Sequence, residues 1–326
     1  MEIDELLTKR PVLVTGGAGF IGSHLVDALM RSEVEVHVLD NLSSGNLENI
    51  KPWLKHPKFK FMRGDLLNPA DVIKAVKGVG AVFHLAANPE VRLSSISPEV
   101  HFEQNLLATY NLLESIRKES GIEYVVFTSS STVYGDASKI PTPEDYSPLE
   151  PISVYGASKL ASESLICAYA HNYGFNAIIY RLANVIGTRS RHGVIYDFVR
   201  KIRENPQKLE ILGDGTQSKS YLYVDDCIEG IILGYRSQRA RLEVYNLGSS
   251  DWVSVATIAR IVVEEMGLKD VSLQFTGGVE GGRGWKGDVK YMLLDTKKIR
   301  SLGWRPKLNS VEAVRKTVRE ILRESQ

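Results

Sequence analysis

Very little in this chain of 326 residues suggests a covalently stapled scaffold. It has only two cysteines, Cys167 and Cys227, far apart and without CxxC or Cys/His spacing. That pattern excludes a disulfide framework and an ordinary zinc site, and makes a reducing cytoplasm the expected location. An excess of one charge is also missing. Forty Lys and Arg against 39 Asp and Glu leave a net charge of +1, too little to gather nucleic acid or anionic lipid. No run approaches the roughly 18 apolar residues of a membrane span. The opening MEIDELLTKR is acidic and polar, unlike a secretory signal. Repeats and low-complexity stretches are absent. What is present is 43% hydrophobic and 24% charged residues, the composition of a globular protein with one large domain or two joined ones.

The first half alternates short β-branched and aromatic runs with amphipathic stretches. PVLVT (11–15), VEVHVL (34–39), FKFM (59–62), AVFHLA (81–86), YVVFTS (124–129) and NAIIYRL (176–182) read as strands. Patterns such as IGSHLVDALMR, and a long stretch from Pro98 to Glu119, read as helices. Strands alternating with helices imply right-handed βαβ units and a buried parallel sheet of the doubly wound class. Beyond residue 183 strand candidates thin out to KLEIL, SYLYV and EVYNL, with helices at 194–204, 225–236, 254–266 and 311–324. This predicts a Rossmann-type domain over 1–182 and a smaller α/β lobe over 183–326, with a soft boundary that the chain can recross.

VLVTGGAGFIGSHL places Gly16, Gly19 and Gly22 as GxxGxxG between a strand and a helix. Gly16 permits the turn, Gly19 lets a pyrophosphate approach, and Gly22 lets helix and strand pack closely. A glycine-rich turn without a ligand is the plainer alternative. Asp40 ends the second strand, where a carboxylate accepts from an adenosine ribose and repels a 2′-phosphate, favouring NAD over NADP. Asp65 ends the third and can face an adenine amine. Asn68 is the better N-cap for the helix that starts at Pro69.

SVYGASKLASES, residues 153–164, places Tyr155 and Lys159 one helical turn apart. A free phenol titrates near 10 and is a poor base at neutral pH, whereas a neighbouring ammonium favours its phenolate. Spacing alone does not separate this pair from a boundary tyrosine beside a solvated lysine. The nucleotide motif upstream tips the reading toward chemistry.

TGGAGFIGSHL, DNLSSG, GDL, HLAA, SSSTVYG, YGASK, RLANVIG, YVDD and GDV occur in this order over nearly the whole chain. The set resembles the extended short-chain dehydrogenase/reductases, and within them UDP-glucose 4-epimerases and related nucleotide-sugar epimerases. The resemblance implies that Tyr155 is the catalytic phenol, Lys159 its partner, and Ser130 the hydroxyl that bridges to the sugar, with Ser129 and Ser131 as close rivals. It implies an NAD contact surface of Gly16, Gly19, Phe20, Ile21, Gly22, Asp40, Asn41, Asp65, Leu66, Leu85, Ala86, Ala87, Asn105, Tyr155 and Lys159. Substrate contacts would come from Ser130, Ser131, Asn184, Val194, Lys219, Arg283 and Asp288. No metal, nucleic acid or membrane is implied. A homodimer is, through the helix from Pro98, which carries Asn105 and Tyr110, and the helix from Ser153.

Departures from the pattern matter as much. Sugar-nucleotide dehydratases carry Asp-Glu directly after the bridging hydroxyl, and the related decarboxylases carry Glu at the second of these positions. Here the two are Ser131 and Thr132, which cannot do a carboxylate's acid–base work. Lys219 stands where a phosphate-binding arginine is usual, and loses the bidentate fork. Trp285 stands where another arginine is usual, which moves the expected diphosphate cation to Arg283, with Lys286 also near. Pro89 replaces a lysine near the cofactor, and Met292 sits where side-chain bulk helps decide whether a 2-acetamido group fits. Redox-neutral epimerisation at C4 of a UDP-hexose is therefore expected, with a decarboxylase or dehydratase as the rival enzyme class and a non-catalytic NAD-binding regulator as the rival outside catalysis.

Overall fold

A computed structural model describes residues 10–324; the polar opening stretch 1–9 lies outside the described residues. Six strands run through the first half: β1 (Val12–Thr15), β2 (Val36–Asp40), β3 (Phe59–Arg63), β4 (Ala81–His84), β5 (Tyr124–Ser130) and β6 (Asn176–Leu182). Each coincides with an expected apolar run. The later strands are β7 (Asn184–Ile186), β8 (Lys208–Ile211), β9 (Ser218–Lys219), β10 (Tyr221–Tyr223), β11 (Leu242–Leu247), β12 (Val253–Ser254), β13 (Ser272–Phe275) and β14 (Tyr291–Met292).

The main sheet is seven-stranded, all parallel, in the order β11-β6-β5-β4-β1-β2-β3. The EVYNL segment thus leaves the C-terminal half and returns to the first domain as an edge strand on β6. The order reverses between β1 and β4, where doubly wound sheets bind ligands at the strands' carboxyl ends. Both faces are covered. Val12 and Val14 point into one apolar cluster and Leu13 into the other; Phe83 and Val82 divide the same way. Side chains alternate across a strand, so a sheet buried on both sides needs continuous apolar runs, as these strands have.

Helix α1 (Phe20–Arg31) follows the glycine turn and α2 (Pro69–Val76) is capped by the Asn68 side chain on Ala70 N–H. The expected long helix, α3 (99–118), is continuous but contains a π-helical turn over Phe102–Leu107. That turn holds Asn105 buried. Helix α4 (Val154–Tyr173) begins at the Ser153 cap, whose hydroxyl accepts from Gly156 N–H. In the smaller lobe, short sheets (β10-β7, β12-β9-β14, β13-β8) and α5 (Val194–Glu204) wall off the far side of the switch point.

Candidate active site

A cavity of about 560 Å³ opens at the switch point and runs from the glycine turn to β14. Gly16, Gly19, Phe20, Ile21 and Gly22 line one end, with Asp40, Asn41, Asp65, Leu66 and the Leu85–Ala87 turn. The glycines are demanded by space. A methyl group on Gly22 would meet the Gly16 carbonyl oxygen at 2.1 Å, and one on Gly16 would meet the Ala86 backbone at 2.8 Å. Gly16 also sits at φ +71°, where a side chain is strained. Helix α1 starts without a side-chain cap at Gly19, so its first N–H groups face the cavity end as anion donors.

Asp40 is buried and its two oxygens accept from Ala18 N–H at 2.9 Å and Leu42 N–H at 2.8 Å. Burial nevertheless pushes its carboxyl up, with those two bonds opposing. The carboxylate keeps further acceptor sites for a diol. Asp65 accepts from Asn41 Nδ2 at 2.9 Å. A dinucleotide's pyrophosphate and adenosine fit this donor and acceptor set.

Ser130, Ser131, Tyr155 and Lys159 line the middle of the cavity. Ser130 is the last residue of β5, and its Oγ accepts from Thr132 N–H at 3.2 Å and the Thr132 hydroxyl at 3.0 Å. Its own O–H is left to donate. Tyr155 lies in the first turn of α4, where the helix dipole favours an anion. Burial pushes its phenol up to about 12, and a hydrogen bond with Ser130 pulls the other way. The Lys159 ammonium, expected to favour the phenolate, donates to the Thr128 carbonyl at 3.0 Å and sits over the Phe127 ring. Burial lowers Lys159 to about 8, while Glu163 holds it up.

Similarity to known proteins agrees with this geometry. Residues 12–248 match the NAD dependent epimerase/dehydratase family profile. The chain belongs to that family. A Methanocaldococcus jannaschii protein provisionally named UDP-glucose 4-epimerase is 36% identical over 94% of this chain and 97% of its own. An Arabidopsis thaliana UDP-glucuronic acid decarboxylase is 32% identical over 93% of this chain and 86% of its own. A solved UDP-galactose 4-epimerase superposes with a TM-score of 0.86 at 46% identity, over 97% of this chain and all of that one. Another similar structure, from Thermus thermophilus, is a UDP-glucose 4-epimerase complexed with NAD, with a TM-score of 0.83 at 33% identity, over 96% of this chain and 99% of that one. The fold is thus Rossmann-like, and the family's cofactor is NAD.

The epimerase/dehydratase cavity gathers nearly all the residues expected from sequence, including Asn184, Val194, Lys219 and Asp288 in the smaller lobe. Two are placed elsewhere. Asn105 lies behind the wall. It accepts from Asn88 N–H at 2.7 Å and donates to Ser158 Oγ at 3.1 Å, so it braces the turn before Pro89 against α4. Arg283 is not part of the cavity lining; it holds the Asp136 carboxylate at 2.8 and 3.1 Å and donates to the Asp288 main-chain carbonyl. Lys219 is among the lobe's cations that do line the cavity, bonded to Asp288 at 2.6 Å.

Sequence reasoning missed a buried pair beneath the site. Glu163, one turn beyond Lys159 on α4, receives Ser129 Oγ and the Arg181 guanidinium, the latter at 2.8 Å through Nη2. Arg181 also donates to the Tyr134 hydroxyl at 3.0 Å, which in turn donates to Asn246 Oδ1 at 2.8 Å. The signal was available as Tyr155, Lys159 and Glu163 at i, i+4 and i+8 on one face.

Proposed function

We propose that this chain is a UDP-sugar 4-epimerase, acting on UDP-glucose and UDP-galactose and with room for their N-acetyl forms. The observation that supports it best is the convergence of Ser130, Tyr155 and Lys159, the last two one helical turn apart, on the cavity that starts at the glycine turn. NAD, when bound, supplies a hydride acceptor that can return the hydride to the carbon it came from.

The chain's own residues do the rest. Gly16, Gly19 and the α1 N-terminus hold the pyrophosphate, and Asp40 holds the adenosine ribose. Ser130 accepts the proton of the sugar's 4-hydroxyl as it passes its own proton to the Tyr155 phenolate, which is the base. Lys159 supplies positive charge under that phenol and keeps the β5 end in place through Thr128. Asn184, Lys219 and Asp288 hold the nucleotide. The sugar, gripped less tightly, presents its other face before reduction, so configuration inverts at C4. Ser131 and Thr132 offer hydroxyls beside Ser130 where elimination would need carboxylates.

Incubation with UDP-glucose, UDP-galactose, their N-acetyl forms and UDP-glucuronate, with products resolved by NMR, tests the reading. A 4-epimer is expected. A pentose from loss of carbon dioxide, or a 4-keto-6-deoxy sugar, would replace it with the rival chemistry.

A second copy is part of the proposal. Phe102, Leu107 and Tyr110 are exposed on α3, and a four-helix bundle of α3 and α4 with their symmetry mates would cover them. Light scattering at twice the monomer mass is the expected result.

A further inference from the structure

Arg189 holds a backbone conformation that side chains seldom adopt, at φ +66°. It lies in the loop 187–193 between β7 and α5, in the smaller lobe. Such a conformation persists only where the surroundings impose it. Here the guanidinium imposes it. Nη2 donates to Asp27 Oδ2 at 2.8 Å and Nη1 to Ser23 Oγ at 3.1 Å, both on α1. From the same helix, His24 Nε2 donates to the Thr188 carbonyl at 3.1 Å. Residues 188 and 189 are thus docked on the helix that begins at the glycine turn, although 162 positions separate Asp27 from Arg189.

Asp27 holds a second partner. It is buried, and its other oxygen accepts from Trp53 Nε1 at 2.7 Å. Trp53 ends a short 3-10 turn, Leu47–Trp53, that follows the adenosine end of the cavity at Asp40, Asn41 and Asn46. Within that turn Asn49 Nδ2 donates to the Ala18 carbonyl of the glycine turn at 2.8 Å. One buried carboxylate therefore joins three pieces: the pyrophosphate helix, the adenosine segment and a loop of the smaller lobe. Neither Asp27 nor Trp53 lines the cavity, whereas Arg189 does, with Ser190, Arg191 and His192 after it. A buried charge is costly once a partner is removed, so the loop stays against α1 as long as the pair is made.

Epimerisation that lends a hydride and takes it back needs a cofactor that stays for the whole cycle. We propose that the Asp27–Arg189 pair is a clasp that retains NAD, pinning the 187–193 loop beside the pyrophosphate helix so that the dinucleotide leaves only when the pair opens. Both are positioning residues. The proposal rests on the NAD-dependent reading and holds whichever UDP-sugar is turned over.

The rate of NAD release tests it. Holoenzyme is diluted into an excess of an unrelated NAD-reducing dehydrogenase with its substrate, which captures released NAD as NADH. Arg189→Gly removes the clasp and relieves the strained backbone, and Asp27→Asn removes the charge while keeping an acceptor for Trp53. Each should release NAD about tenfold faster or more, the loss of a hydrogen bond between charged groups. Arg189→Lys, which keeps a cation without the fork, should fall between them and the wild type. Arg31→Ala removes only the exposed cation 3.9 Å from the same carboxylate and should release NAD at the wild-type rate. Calorimetry with UDP should show a change of less than about threefold in all four. If Arg189→Gly fails to fold, Asp27→Asn decides. Unchanged NAD release in a folded variant, an equal acceleration in Arg31→Ala, or an equal loss of UDP and NAD affinity overturns the clasp. A wild type that binds no NAD removes the cofactor reading itself, and the clasp with it.

Discussion

The Lys159 ammonium donates to the Thr128 carbonyl at 3.0 Å, although the Tyr155 phenol lies one helical turn before it. The lysine is thus anchored to the end of β5, the strand that carries Ser130. The Tyr155 phenol and the Ser130 hydroxyl are thus positioned by the same helix start and strand end.

Tyr155→Phe should therefore lose at least about 10² in turnover, as removal of an acid–base group does. NAD binding should survive, because the glycine turn and Asp40 are untouched. Equal activity in the variant would sink the assignment of the base.

Glu163→Gln should change the pH profile rather than only the rate. Lys159 titrates near 8, lowered by burial and held up by Glu163. Other ionisable groups close by are His84, held neutral at about 3 by burial and by Lys159, Tyr155, and Arg181, which pairs with Glu163. Removing the negative charge makes the ammonium harder to keep, so its proton leaves at lower pH. The alkaline limb of kcat/KM should move down in pH, and Glu163→Asp should restore it. An unmoved limb would show that the pair only holds the fold together.

Arg283 and Lys219 should separate cleanly. Arg283→Ala gives up a pair with Asp136, of a kind that contributes about 0–1 kcal/mol, and a hydrogen bond to the Asp288 main-chain carbonyl, but no group lining the cavity. KM for a UDP-sugar should change less than about threefold. Lys219→Ala removes a cation inside the cavity and should raise KM about tenfold or more, in line with hydrogen bonds to charged groups. The reverse ranking would return the diphosphate to Arg283.

Gly22→Ala should damage the cofactor end. Its methyl group would lie 2.1 Å from the Gly16 carbonyl oxygen, and forced contacts of this kind cost about 1–3 kcal/mol or more. A lowered melting temperature together with weakened NAD binding is expected. An unchanged melting temperature would contradict the packing described.

Local pattern carried far in this chain. All six strands of the first half were legible, because a parallel sheet covered on both faces needs unbroken apolar runs. The glycine turn was legible through spacing, and Tyr155 and Lys159 through helical period. The π-helical turn at Phe102–Leu107 was not, since its inward Asn105 answers to Asn88 and Ser158 rather than to its own neighbours. The short strands β9, β12 and β14 also escaped, being two residues each and held by their pairing.

By itself the sequence determined the Rossmann-type alternation, the nucleotide turn and the tyrosine–lysine face, because each is written in residues close along the chain, where covalent spacing sets geometry. Only the tertiary structure decided that β11 closes the main sheet, that Arg283 turns to Asp136 across 147 positions, and that Arg189 reaches Asp27 across 162. Those outcomes depend on which distant groups satisfy a charge or a hydrogen bond first, and that competition is settled only when the chain has folded.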